Sequence, residues 1–105
     1  MMRISAGIAV ASIAGAIFSA TATADSGRNL AAACANCHGT NGHSQGGTAS
    51  LAGQNKARML AQLRAFRDGK RAATIMHQIA RGYSDAQFEL LSDYFSRQPV
   101  ARSGQ

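Results

Sequence analysis

The chain contains no tryptophan, only two cysteines, and five acidic residues against eleven basic ones in 105 residues. Each shortage excludes something. Without tryptophan, and with modest apolar content beyond its first stretch, a domain of this size buries limited area from side chains alone. Small domains of this kind usually need a staple: a disulfide, a metal or a cofactor. The lack of acid leaves a formal charge of +6. Such a surface favours acidic partners and makes association sensitive to salt. No apolar run reaches the roughly 20 residues that cross a bilayer as a helix. Alternating strand patterns, internal repeats, low-complexity tracts and a second domain are absent too.

What is present begins with an export signal. Met1-Met2-Arg3 gives a positive start, and the uncharged, Ala- and Ile-rich run from Ile4 to Phe18 follows it. Ala20-Thr21-Ala22 and Ala22-Thr23-Ala24 then supply the small-x-small pattern of a cleavage site. This order predicts a signal peptide over 1–24 and a single mature domain over 25–105, located in the periplasm. Cleavage after Ala24 removes Arg3 and leaves ten basic against five acidic residues. Export argues against nucleic acid as the partner of that positive charge, and no membrane insertion is expected once the signal is removed.

Two cysteines in an exported chain ordinarily predict a disulfide, but their spacing predicts something else. Cys34-Ala35-Asn36-Cys37-His38 matches C-x-x-C-H, the attachment sequence of c-type haem. Two thiols three residues apart lie on nearly one helical face, where both can add to the vinyl groups of one porphyrin. The adjacent His38 is carried to the iron as its proximal ligand. Gly39 suits a left-handed helix end. A thioredoxin-like pair would need a βαβ setting, and a zinc site would need more ligands than one cysteine pair and scattered histidines provide. A disulfide across so short a loop would stabilise little.

The remainder reads as short helices and loops. Gly27, Leu30, Cys34 and Cys37 fall at helical spacing, with Asp25 or Ser26 as the cap. From Gly39 to Gly53 the turn-forming composition predicts a loop. A second helix is expected from about Asn55 to Asp68, striped by Met59, Leu60, Leu63 and Phe66 and stopped by Gly69. A shorter one is expected from Thr74 to Arg81. The last starts at Ser84, where Ser84-Asp85-Ala86-Gln87 reads as a capping box, and carries Phe88, Leu91, Tyr94 and Phe95. The expected class is all-α, with about four short helices wrapped around one covalent haem.

Four residues compete for the sixth iron position. Met59 falls on an apolar stripe and is expected in the core. His43 follows His38 too closely to cross easily to the other face of the ring. Of the neighbours Met76 and His77, Met76 is the expected ligand, walled by Ile75 and Ile79, with His77 at the surface. Thioether ligation raises the reduction potential and suits electron transfer.

These residues resemble the small bacterial class I cytochromes c. Leu51-Ala52-Gly53-Gln54 and Gln62-Leu63-Arg64-Ala65-Phe66-Arg67-Asp68-Gly69, followed by a methionine and a final helix ending in Tyr94-Phe95, are similar to that group's motifs. The resemblance matches Met76 to the family's axial methionine. Gly42-His43-Ser44 and Ile79-Ala80-Arg81-Gly82-Tyr83-Ser84-Asp85 further resemble the cytochrome subunits of flavocytochrome c sulfide dehydrogenases. That likeness implies a FAD-containing flavoprotein subunit as partner, with sulfide oxidised at the flavin and electrons passed to the haem. One position departs from the pattern. Ala49 stands where the family commonly has proline, which leaves open which carbonyl orients His38.

The expected function is electron transfer through a haem held by Cys34 and Cys37 and ligated by His38 and Met76. With both axial positions filled, catalysis at this haem is not expected. A free shuttle serving another oxidase or reductase is the alternative, and a haem enzyme or gas sensor with a labile sixth ligand is the reading from another class. Lys56, Arg58, Lys70, Arg71 and Arg81 are candidates for steering an acidic redox partner.

Overall fold

The computed structural model describes residues 7, 9–11 and 26–100. The expected signal peptide over 1–24, its cleavage site and the cap candidate Asp25 therefore lie almost wholly outside the described residues. Among the described residues there is no strand, and no helix is long and apolar enough to cross a membrane.

Four helical segments build the domain. The first is α-helical over residues 26–31 (α1), tightens into a 3-10 turn at Ala32–Cys34, and resumes as α2 at Ala35–His38. Backbone angles at Ala31, Cys34 and Ala35 all stay in the right-handed region, so the run behaves as one bent helix. Ser26, offered as a cap, already lies inside α1. A second 3-10 turn occupies Thr40–Gly42. Then follow α3 (Lys56–Arg67), α4 (Met76–Ala80) and α5 (Asp85–Ser96).

Local chemistry sets these ends. Asn55 Oδ1 accepts from the Arg58 N–H at 3.0 Å and starts α3. Gly69, at φ +72°, lets the chain turn so that Lys70 N–H reaches the Ala65 carbonyl at 2.9 Å. The capping box at α5 is complete: Gln87 N–H donates to Ser84 Oγ at 3.2 Å, and Ser84 N–H donates to Gln87 Oε1 at 2.9 Å. α4 starts two residues later than the composition predicts, because Ile75 sits at φ −138°, outside helical space.

The helices meet through a small core of Ala31, Met59, Leu91 and Phe95, with Leu30, Leu51, Leu63 and Tyr83 packed against it. Gly27 marks where the first helix crosses α5. A Cβ there would lie 2.9 Å from the Leu90 carbonyl oxygen and 3.3 Å from Tyr94 Cβ, so only glycine permits the approach. The inner face of α5 is Phe88, Leu91, Ser92 and Phe95, at the i, i+3, i+4, i+7 spacing. Ser92 takes the place expected of Tyr94. The Tyr94 ring is half-buried, and its hydroxyl donates to Asn41 Oδ1 at 2.7 Å, tying α5 to the turn after α2.

Charge pairing sits on the outside. Lys56 bridges Glu89 at 3.3 Å, Arg64 and Arg67 share Asp85 at 3.4 and 2.9 Å, and Arg97 holds Asp93 at 2.8 Å. Hydrogen bonding from Arg67 holds the Asp85 carboxyl below its usual range, so it stays ionised and paired at neutral pH. Exposed pairs of this kind contribute at most about 1 kcal/mol each. Among the described residues, only four large apolar side chains are buried, Met59, Phe88, Leu91 and Phe95. Each contributes about 1.5–3 kcal/mol. That is a thin core for this many ordered residues. The space beside it becomes the site.

Candidate haem site

An apolar cavity opens between the helices. Leu51, Met59, Leu63, Phe66, Leu91 and Phe95 form its walls, with Gln54, Gln62 and Arg71 as polar members. Cys34, His38 and Met76 also line it. The structure thus brings one thiol and one imidazole from the first bent helix, and one thioether from the sequence-distant α4, to a single apolar space. Cys37 is exposed and lines an adjoining polar groove with Asn36, Gly39, Thr40 and His43. The two cysteines form no disulfide with each other. Burial pushes the Cys34 thiol up, so it stays protonated at neutral pH.

His38 is held from behind. Its Nδ1–H donates to the Ala49 carbonyl at 2.6 Å, which leaves Nε2 as the ring's lone-pair nitrogen. Ala49, at the position where proline was expected, supplies the orienting carbonyl itself. The loop that presents it is closed at its base, since the Gly42 carbonyl accepts from Leu51 N–H at 2.8 Å and Ala52 N–H at 3.2 Å. Across the loop, Ser44 N–H donates to Ser50 Oγ at 3.1 Å.

Gly39 ends α2 differently from expectation. It lies at φ +82°, ψ 165°, a mirror-extended conformation rather than a left-handed helical one, and essentially only glycine adopts it. A Cβ at this position would overlap the His43 carbonyl. The backbone folds back on itself there so that the Ala49 loop can reach His38. Gly39→Ala should therefore destabilise the haem-loaded protein by about 2 kcal/mol or more. Thermal melting would show it, and an unchanged melt would mean that the turn relaxes freely.

The other ligand candidates separate clearly. Met59 is 3% exposed and belongs to both the core and the cavity wall. His43 is engaged elsewhere, its Nε2–H donating to the Pro99 carbonyl at 2.6 Å and fastening the C-terminal segment to the loop after α2. His77 does not line the cavity. It is not a surface side chain either: it is half-buried, and its Nδ1 is enclosed with no hydrogen-bond partner. Of the two isoleucines expected as walls, Ile79 lines the cavity while Ile75 is 52% exposed and does not. Lys56, a steering candidate, has its charge taken up by Glu89 and Asp93.

The donor set fits haem c: apolar walls for a macrocycle, cysteine sulfur for thioether bonds, and nitrogen and sulfur for iron. Comparison with known proteins agrees. The family model described as cytochrome c matches residues 24–97. The cytochrome subunit of sulfide dehydrogenase from Chlorobaculum tepidum is 34% identical over 73 residues, covering 70% of this chain and 66% of that protein. The thiosulfate dehydrogenase electron acceptor of Thiomonas intermedia is 34% identical over 73 residues, covering 66% of this chain and 34% of that one. The crystal structure of reduced recombinant cytochrome c4 from Pseudomonas stutzeri superposes with a TM-score of 0.69 at 31% identity, over 75% of this chain and 50% of that one. The chain thus spans two thirds or less of the length of these relatives.

Proposed function

Because the chain belongs to the cytochrome c family and so carries covalent haem c, we propose that it serves as the cytochrome subunit of a flavin-containing sulfide dehydrogenase. Cys34 and Cys37 would hold one haem, and His38 and Met76 would ligate its iron. When bound, it supplies a one-electron ferric–ferrous couple. The observation that carries this reading is the convergence of Cys34, His38 and Met76 on one apolar cavity.

The residues divide the work. Ala49 fixes the His38 tautomer and ring plane, so ligation needs no rearrangement between oxidation states. The Met76 thioether favours the ferrous state, and the apolar walls exclude the water that would stabilise a more charged ferric centre. With His38 and Met76 both ligating, the iron would be closed to substrate, and the group would supply outer-sphere electron transfer. The Chlorobaculum relative, a cytochrome subunit of sulfide dehydrogenase, supports a partner subunit as the electron donor; the flavin in that partner is part of the proposal. Export to the periplasm by the signal peptide over 1–24 places the chain where c-type haem is joined. Arg58, Lys70 and Arg81, exposed and without ion-pair partners among the described residues, are the charges that steer an acidic partner.

Size-exclusion chromatography of native periplasmic extract tests this. Haem and flavin absorbance should coincide in one species larger than the free domain, and sulfide should reduce its haem. Haem eluting alone at the size of a small domain would replace this reading with that of a free shuttle.

A further inference from the structure

Iron ligation leaves His43 without a role, yet its ring makes one of the shortest bonds in the protein. Its Nε2–H donates to the Pro99 carbonyl at 2.6 Å, across fifty-six residues. Core packing does not account for that bond. Pro99 is exposed and Val100 is 70% exposed, so the segment past α5 buries little apolar area. What the bond holds is the loop between His43 and Gly53. From Gln45 to Ser50 every residue of that loop is exposed, and a Cβ at Gly46 or Gly47 would meet nothing. Backbone of this kind is entropically costly to order and needs anchoring at its ends. At one end, Gly53 N–H donates to the Phe95 carbonyl at 2.9 Å, and Val100 lies so close that a Cβ on Gly53 would overlap its Cγ2. At the other, the His43 carbonyl abuts Gly39, the residue after His38, while its ring reaches out to Pro99. The chain past α5 thus straps the loop at both ends. Ala49, whose carbonyl orients His38, lies between them.

We propose that His43 is a positioning residue for the proximal ligand: by gripping the Pro99 carbonyl it fixes the loop through which Ala49 holds His38. This inference rests on His38 being an iron ligand. A firm bond from His38 Nδ1–H to the Ala49 carbonyl raises the basicity of the ring, which favours ferric iron. Releasing the strap lets the loop drift, weakens that bond and favours the ferrous state. Loosening that merely admits water has the opposite sign, because water favours the more charged ferric centre.

The test compares haem-loaded wild type, His43→Ala, His43→Asn and His43→Gln, exported and matured in the same host. Redox titration reads the reduced-to-oxidised ratio, and proton NMR of the ferric protein reads the His38 ring plane through the hyperfine-shifted haem methyl resonances. His43→Ala should raise the ratio at fixed potential about threefold and move those resonances. Glutamine carries an amide N–H about as far from the backbone as Nε2, so His43→Gln should restore the wild-type ratio and resonances. Asparagine has the same chemistry but is one methylene shorter, so His43→Asn should behave like His43→Ala. An unchanged or lowered ratio in His43→Ala overturns the inference, since a purely structural histidine would give either result. If His43→Ala yields no haem protein, identical ratios and resonances in His43→Asn and His43→Gln overturn it instead. A wild-type chain without haem would sink the site assignment itself, a separate failure.

Discussion

Met76→Ala should keep the covalent haem, bind carbon monoxide once reduced, and fall in potential. On the proposed site, attachment would depend on Cys34 and Cys37 and proximal ligation on His38, so the substitution should remove only the sixth ligand. Met76 lines the cavity that Cys34 and His38 also line. Truncating it exposes the vacant iron position to small ligands. The thioether stabilises ferrous iron, so its loss should lower the reduced-to-oxidised ratio at fixed potential at least about tenfold, or about 59 mV for a one-electron couple. Optical spectra with and without carbon monoxide, and a redox titration, read both effects. Met59→Leu tests the rival thioether: Met59 also lines the cavity, and a swap of similar volume removes its sulfur while keeping the wall filled, so the iron ligation read in the spectrum should persist. Persistence of the native spectrum in Met76→Ala would show that another side chain occupies the sixth position. Carbon monoxide binding by the unaltered reduced protein would instead support an enzyme or sensor with a labile ligand.

Much of this arrangement is written locally in the sequence. C-x-x-C-H, the Ser84 capping box and the Asn55 and Gly69 boundaries depend on neighbours a few residues apart, and the structure places each of these helix signals where the sequence puts it. What sequence reading missed depends on residues far apart in the chain. Gly27 looks like one more helical position until the approach of Leu90 and Tyr94 shows why no side chain fits. Ser92 looks polar and exposed, yet it occupies the inner face of α5 with 0% exposure. The role of Ala49 follows from a hydrogen bond across eleven residues, and the engagement of His43 from one across fifty-six. His77, expected as a surface side chain, is half-buried, because packing encloses its Nδ1. Gly39 was legible as a helix end, but its mirror-extended angles become necessary only once the Ala49 loop folds back over His38.

Phe95→Ala should be the most damaging substitution in the core, and it should disturb both stability and the site. Phe95 is 2% exposed and packs in the cluster with Met59, Leu91 and Ala31 while also lining the cavity. A Cβ at Gly42 would lie only 2.9 Å from Phe95 Cδ1, so the ring fits directly beneath that turn. The Gly42 carbonyl closes the base of the loop that presents Ala49 to His38. Removing the ring should cost about 3–5 kcal/mol. In a domain of this length, that corresponds to a fall in melting temperature of more than about 10 °C. Phe88→Ala gives the comparison that separates packing from site geometry. Phe88 is fully buried but does not line the cavity, and it contacts Tyr83 and the Arg67 guanidinium instead. Both variants should lose comparable stability in thermal melts of the haem-loaded protein. Only Phe95→Ala should also alter the haem spectrum below its melting transition, because only there does the lost ring support the loop behind His38. Equal and unaltered spectra in the two variants would mean that the Gly42 turn holds its shape without Phe95. The orientation of His38 would then depend on the loop's own hydrogen bonds rather than on the core.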